Sequence, residues 1–159
     1  MNCTILCVGK LKERYWSEAC SEYLKRLSAY CKPQVIEIPE VRLPDSPSPA
    51  QIEKALLQEG AALLQRLPAG SLLISLCVEG EPFSSEALSQ TLARYAVNGA
   101  GSFSFAIGGS FGLSKEVKHR SALRLSMSGM TFPHTLARVM LLEQLYRAFS
   151  IQAHTKYHK

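Results

Sequence analysis

Ser102-Phe103-Ser104-Phe105-Ala106-Ile107-Gly108-Gly109-Ser110-Phe111-Gly112-Leu113 decides how the rest of this chain is read. Ser102 to Ile107 is a short, largely apolar run of the kind that forms a strand buried on both faces. Gly108, Gly109 and Gly112 then make a turn, and Ser114 is placed to cap a helix behind it. Glycines between a strand and a helix let the backbone approach a ligand closely or take positive φ. A tight structural turn accounts for them equally well. The dinucleotide fingerprint G-x-G-x-x-G would need glycine at 107, where Ile107 stands, and no G-x-x-x-x-G-K-[ST] phosphate loop occurs. A Rossmann site also puts its glycines after the first strand. A ligand turn this late implies a different topology.

Working outward, strand and helix alternate. Thr4 to Val8 reads as a strand closed by Gly9. Trp16, Ala19, Cys20, Tyr23, Leu24 and Leu27 form a helical stripe within Tyr15 to Tyr30. Gln34 to Ile38 reads as a second strand, and Pro39, Pro44, Pro47 and Pro49 make a stiff loop after it. A helix from Gln51 to Leu67 stops at Pro68-Ala69-Gly70. Leu72 to Cys77 is a strand, with a turn expected at Gly80-Glu81-Pro82. Ser84 or Ser85 caps a helix reaching about Val97, which ends at Asn98-Gly99-Ala100-Gly101. Beyond the glycine turn, Leu123 to Ser126 is a fifth strand, and Pro133 suits the first turn of a last helix reaching about Ser150. Strands separated by helices imply a parallel sheet covered on both faces, with ligands beyond the strands' C-terminal ends. The expected fold is a single α/β domain, 1–159, a parallel-sheet sandwich. Its three unusual strand ends are Leu76 to Gly80, Gly108 to Gly112 and Met127 to Pro133.

The 159 residues suffice for one cored domain, and 47% apolar content is globular rather than disordered. No apolar run approaches the roughly 18 residues of a membrane span. The N-terminus has no basic region ahead of its apolar stretch and no small-residue cleavage site, so no membrane association and a cytoplasmic location are expected. Five cysteines without a C-x-x-C pair argue against a disulfide framework or zinc knuckle, and predict small buried hydrophobes. The net charge of +5 is unevenly spread: Lys115 to Lys159 holds eight Lys or Arg against two acids. A basic third suits a polyanion such as RNA, or simply keeps the protein soluble.

Several chemistries lack their parts. Asp45, in the proline-rich loop, is the only aspartate, so a Ser-His-Asp triad or a paired-aspartate metal site has no frame. His154 and His158 lie four apart but have no further ligands nearby, and no metal is expected.

The most specific stretch is Met130-Thr131-Phe132-Pro133-His134, followed by Arg138-Val139, Glu143-Gln144 and Tyr146-Arg147-Ala148. With Val8-Gly9-Lys10, Ile107-Gly108-Gly109, Gly112-Leu113 and the ending Tyr157-His158-Lys159, it closely resembles the SPOUT superfamily of knotted methyltransferases. Within that superfamily the resemblance, over the whole chain, is to the ribosomal RNA large subunit methyltransferase H family. It implies a C-terminal trefoil knot over about 103–159, which periodicity alone never suggests because true knots are rare. It implies a homodimer and S-adenosylmethionine as methyl donor. The implied substrate is a pseudouridine of 23S rRNA, methylated at N3 on the assembled ribosome. Carried onto this chain, the cofactor pocket is Leu76, Gly108 and Gly109 with Met127, Ser128, Gly129, Met130, Thr131 and Phe132. Gly129 stands where several relatives carry Lys, and Lys156 where the tail often has Pro or a small residue.

An imide nitrogen must lose its proton before it attacks a methyl group, which calls for a base or a field favouring the anion. The candidates are His134, Arg138, Tyr157 and His158. Arg138 would stabilise the deprotonated base or bind phosphate. Tyr157 or His158 would act on the proton, reaching the partner subunit's pocket. His134 is equally placed to cap the last helix, and Glu143 with Arg147 reads first as a helix ion pair. The last helix is apolar nearly all round, from Leu136 to Phe149, which implies burial on two sides and a dimer interface. Two other readings fit the basic third: a ribosome-binding module without catalysis, and a methyltransferase acting on transfer RNA.

Overall fold

The computed structural model describes residues 1–157. Its five strands are β1 (Asn2–Val8), β2 (Lys32–Ile38), β3 (Leu72–Pro82), β4 (Ser102–Ile107) and β5 (Leu123–Ser126). The helices are α1 (Arg14–Leu27), α2 (Pro49–Gln65), α3 (Ser85–Val97), α4 (Lys115–Arg120) and α5 (His134–Gln152). All strand pairs are parallel, in the order β2-β1-β4-β3-β5. The α/β parallel-sheet reading therefore holds.

Strand alternation sets the layers. Cys3, Ile5, Cys7, Phe103 and Phe105 face one side and pack with Cys20 and Leu27 of α1, Leu88 and Leu92 of α3, and Leu141, Leu145 and Phe149 of α5. Leu6, Val8 and Ala106 face the other and meet Leu63 of α2 and Val117 of α4. The cysteines are free, four buried and Cys77 half-buried. Burial pushes the Cys7 thiol up to about 12, against the pull of the Arg138 charge, so it behaves as an inert hydrophobe. Among the described residues no helix is long and apolar enough to cross a membrane.

Three local expectations need correction. Gly80-Glu81-Pro82 is not a turn beyond β3. The strand pairs with β5 at Leu76↔Leu125, bulges out over 77–80, and pairs again at Glu81↔Leu125 and Pro82↔Ser126. A Cβ at Gly80 would lie 2.6 Å from the Arg124 carbonyl oxygen, so the bulge closes only with glycine there. The second helix starts at Pro49 rather than Gln51, because Ser48 and Gln51 form a reciprocal capping box with Pro49 in the first turn. The first helix stops at Leu27, short of Tyr30, with Ser28 at its C-cap. Ser84 and Ser114 cap α3 and α4 as expected.

Arg138 is the largest fully buried side chain, at 2% exposure. Its Nη1 donates to Glu37 Oε1 at 2.6 Å and its Nη2 to the Gly9 carbonyl at 3.0 Å. One guanidinium thus ties α5 to the C-terminal ends of β1 and β2. Removing one partner of a buried ion pair costs roughly 3–5 kcal/mol, and the partly exposed Glu37 places this pair at the low end. Arg138→Ala is expected to lose about 3 kcal/mol of unfolding free energy in urea, and Glu37→Gln, which leaves the buried guanidinium without a counter-charge, a comparable amount. Equal stability of Arg138→Ala and wild type would show that the pair does not anchor α5.

Candidate active site

The C-terminal ends of β3, β4 and β5 open into one cavity of about 800 Å³. Three irregular segments build it. The β3 bulge contributes Leu76, Cys77, Val78 and Glu79. The glycine turn contributes Gly108 to Leu113. The segment after β5 contributes Met127, Ser128, Met130, Thr131, Phe132 and Pro133. Of the expected cofactor residues only Gly129 is absent from the lining, although its neighbours on both sides are present.

The last segment is shaped by side chains rather than by a backbone ladder. Ser126 Oγ reaches the carbonyls of Val78 (2.9 Å) and Ser128 (3.0 Å), and Ser128 Oγ accepts from Met130 N–H at 3.1 Å. Among the described residues no peptide group from Met127 to Phe132 bonds to another backbone group. Most of its donors and acceptors thus remain available beside apolar walls from Leu76, Ile107, Leu113 and Phe132, an arrangement suited to a flat heteroaromatic edge.

Close approach explains the glycine turn. A Cβ at Gly108 would lie 2.3 Å from the Gly112 carbonyl, so the turn folds on itself only without one. A Cβ at Gly109 would lie 2.8 Å from Glu40 Oε1. That oxygen accepts from Ser110 N–H at 3.1 Å and Ser110 Oγ–H at 2.9 Å. Burial works against the Glu40 charge, but the Ser110 bonds and the nearby His134 and Lys12 bring its pKa below the usual carboxylate value. The proline-rich loop therefore latches the glycine turn through an ionised carboxylate. Glu40 escaped the sequence reading, because a lone glutamate in a proline-rich loop carries no motif, and Ser110 and Phe111 were read only as part of the glycine turn. Lys118 was also missed; it forms an ion pair with Glu79 at the cavity rim that joins the β3 bulge to α4.

The catalytic candidates separate. His134 lines the cavity. It does not cap α5, whose N-cap is Pro133 without a side-chain cap bond. Arg138, expected to face the reacting base or a phosphate, lies one turn deeper with its guanidinium committed to Glu37 and Gly9, and is not part of the lining.

The chain matches the family model described as Predicted SPOUT methyltransferase over residues 1–158. It belongs to the SPOUT methyltransferase family. A protein of Pelotomaculum thermopropionicum named Ribosomal RNA large subunit methyltransferase H is 51% identical over 155 residues, covering 98% of this chain and 97% of the relative. One of the same name from Leuconostoc mesenteroides is 45% identical over 159 residues and the full length of both. A probable methylase family protein from Haemophilus influenzae superposes with a TM-score of 0.52 at 13% identity, over 99% of this chain and 70% of that one, which speaks for the fold.

In this SPOUT chain the end of α5 is also ordered. His154 N–H bonds to Ile151 O, Thr155 N–H bonds to Ser150 O, and His154 takes φ 54°. This is a Schellman cap with histidine in the place usually held by glycine. It folds the tail back, so that Tyr157 O–H donates to Glu143 Oε1 at 3.0 Å while Arg147 Nε donates to the same oxygen at 3.0 Å. The Arg147 guanidinium also lies 4.8 Å from the Tyr157 ring. The expected Glu143–Arg147 helix pair is present, with a third member from the tail. Within this chain Tyr157 stands apart from the cavity. His158 lies outside the described residues.

Burial, and then the bond to Glu143, push the Tyr157 phenol up to about 12, which makes it a donor at neutral pH. A pKa raised on folding adds stability that is whole below about pH 10 and lost as pH rises through 12. Alkaline titration followed by phenolate absorbance is expected to show one phenol ionising near pH 12 that Tyr157→Phe removes. Loss of a phenol titrating near pH 10 instead would detach the tail from Glu143.

Proposed function

We propose that this enzyme transfers the methyl group of S-adenosylmethionine to N3 of a pseudouridine in 23S rRNA on the assembled ribosome. The observation carrying the reading is the cavity itself, assembled where a SPOUT chain 45–51% identical to two large-subunit rRNA methyltransferases places the ends of β3, β4 and β5. About 800 Å³ is within the range that buries a small cofactor. The free peptide groups of 127–132 would hold the adenine edge, with the Glu79–Lys118 rim beside the polar end. When bound, the cofactor supplies an electrophilic methyl on a sulfonium centre, so the chain's own work is orientation and proton handling.

His134 is the group for the proton. It stands on the cavity wall close to the Glu40 carboxylate: a Cβ at Gly9 would lie 3.3 Å from His134 Nε2 and 3.8 Å from Glu40 Oε2. The N3–H proton passes to the imidazole, Glu40 stabilises the imidazolium, and the uracil anion left behind is the nucleophile. Arg138 positions this machinery by fixing the first turn of α5. A homodimer fits α5, whose Leu136, Val139, Met140 and Tyr146 remain half-buried while Leu141, Leu142 and Leu145 fill the core. A C-terminal trefoil knot belongs to the same proposal, and the match to the SPOUT methyltransferase family model supports it.

The deciding experiment is transfer of labelled methyl from S-adenosylmethionine to ribosomes lacking the modification, with isolated 50S subunits and transfer RNA as controls. Label at N3 of a pseudouridine in 23S rRNA is the expected result. No label in any RNA from folded protein would overturn the reading. In single turnover at saturating cofactor, His134→Asn is expected to slow methyl transfer by about 10²-fold or more. A rate within about threefold of wild type would move the proton elsewhere. Glu40→Ala removes two charge-assisted hydrogen bonds from the glycine turn and is expected to weaken cofactor binding by about tenfold in calorimetry. Unchanged affinity would show that the latch does not shape the pocket.

A further inference from the structure

We propose that the Glu79–Lys118 ion pair on the rim of the methyl-transfer cavity is the subsite for the α-amino acid end of the cofactor, with Lys118 taking its carboxylate and Glu79 its ammonium. The proposal rests on the S-adenosylmethionine reading and names the residues that recognise the end of the molecule remote from the adenine ring. The charge of the lining carries it. Among the described residues around the cavity, Glu79 is the one carboxylate and Lys118 the one ammonium, and the fold holds the two side by side. The rest of the lining is apolar side chains, hydroxyls, peptide groups, the Cys77 thiol and the His134 imidazole. A wall of that charge matches a ligand carrying one ammonium and one carboxylate on the same carbon.

Position agrees with charge. Ser126 Oγ reaches the Val78 carbonyl, one residue before Glu79, at 2.9 Å and the Ser128 carbonyl at 3.0 Å. The rim pair and the free peptide groups of 127–132 therefore border one space. The pair has little structural work of its own. The β3 bulge is already closed by Gly80 against the Arg124 carbonyl and by Ser126, and α4 is held by its Ser114 cap and by the fully buried Val117. The Lys118 side chain is 25% exposed and that of Glu79 55%, and an ion pair this open adds little to stability, so opening it costs little. The hydrogen bond from Lys118 holds the Glu79 carboxyl below its ordinary value, so the group is ionised at neutral pH. Neither group has another ion-pair partner among the described residues. Exchange with a zwitterion turns this one ion pair into two. The amino acid end is the same before and after methyl transfer, so the subsite adds to the binding of donor and product alike, and affinity is the quantity that reports it.

The test is calorimetry on the full-length protein with four ligands. S-adenosylhomocysteine and 5′-methylthioadenosine are both thioethers and differ in the amino acid end. S-adenosylmethionine and its decarboxylated form differ in the carboxylate alone. Wild type is expected to bind S-adenosylhomocysteine at least about tenfold more tightly than 5′-methylthioadenosine. Lys118→Met is expected to weaken S-adenosylmethionine and S-adenosylhomocysteine by about tenfold, and to leave the other two ligands bound at least as well as in wild type. Lys118→Arg should recover most of the loss. Glu79→Gln is expected to weaken every ligand that carries the ammonium, the decarboxylated donor included, and to leave 5′-methylthioadenosine unchanged. Equal losses for S-adenosylhomocysteine and 5′-methylthioadenosine would make the pair a strut of the cavity and overturn the subsite. A wild type that binds those two equally well would also overturn it while leaving the S-adenosylmethionine reading intact. A wild type that binds none of the four would overturn that reading and the subsite with it.

Discussion

The buried guanidinium of Arg138 sets the geometry on which the site depends. An ionised group at 2% exposure is tolerated only if its charge and donors are met. Glu37 meets the charge and the Gly9 carbonyl takes a second donor, while Nε stays without a partner among the described residues. Both partners lie at the C-terminal edge of the sheet, on strands more than a hundred positions away in sequence. Hydrophobic packing of α5 against α1 and α3 is non-directional and would allow the helix to slide. Two directional bonds to one edge do not. Because Arg138 follows His134 by one helical turn, fixing one fixes the other, and the Met127–Phe132 segment is then held between the end of β5 and the start of α5.

Glu40 performs the matching task on the glycine turn. The turn is bounded by its own carbonyls on one side and by the carboxylate on the other, so Gly108 and Gly109 are glycines for different reasons. One lets the backbone cross itself. The other admits a side chain from the proline-rich loop. The prolines and the latch belong together, since a loop with fewer conformations loses less entropy when its carboxylate is held.

What the sequence revealed follows the range of each interaction. Strands buried on both faces announce themselves as apolar runs, and Ser102 to Ile107 was read to the residue. Serine caps at Ser84 and Ser114 act three residues along the chain and were equally visible. The β3 bulge was not, because Gly80-Glu81-Pro82 has turn composition and only Arg124, across the sheet, decides that it continues as strand. The Arg138–Glu37 and Glu40–Ser110 pairs span 101 and 70 residues and leave no periodic trace. The resemblance singled out residues that line one cavity, where periodicity could not. It also placed Arg138 among groups acting on the substrate, and the long-range bonds that bury its guanidinium on Glu37 and Gly9 were not legible. Glu143 and Arg147 were legible as a helix pair, but Tyr157 joins them only through a left-handed histidine cap that no local rule would have assigned.

The glycine turn ends an interior strand. In the order β2-β1-β4-β3-β5 the fourth strand is central, with β1 on one side and β3 on the other. A turn at the end of a central strand is bordered by two loops: the segment after β1, which carries Lys10 and Lys12, and the β3 bulge, which carries Cys77 to Glu79. Here the turn has a cavity on each flank and only Ser110, Phe111 and His134 between them. A glycine turn at the end of a central strand is thus walled on both flanks, so its backbone is positioned without an added domain.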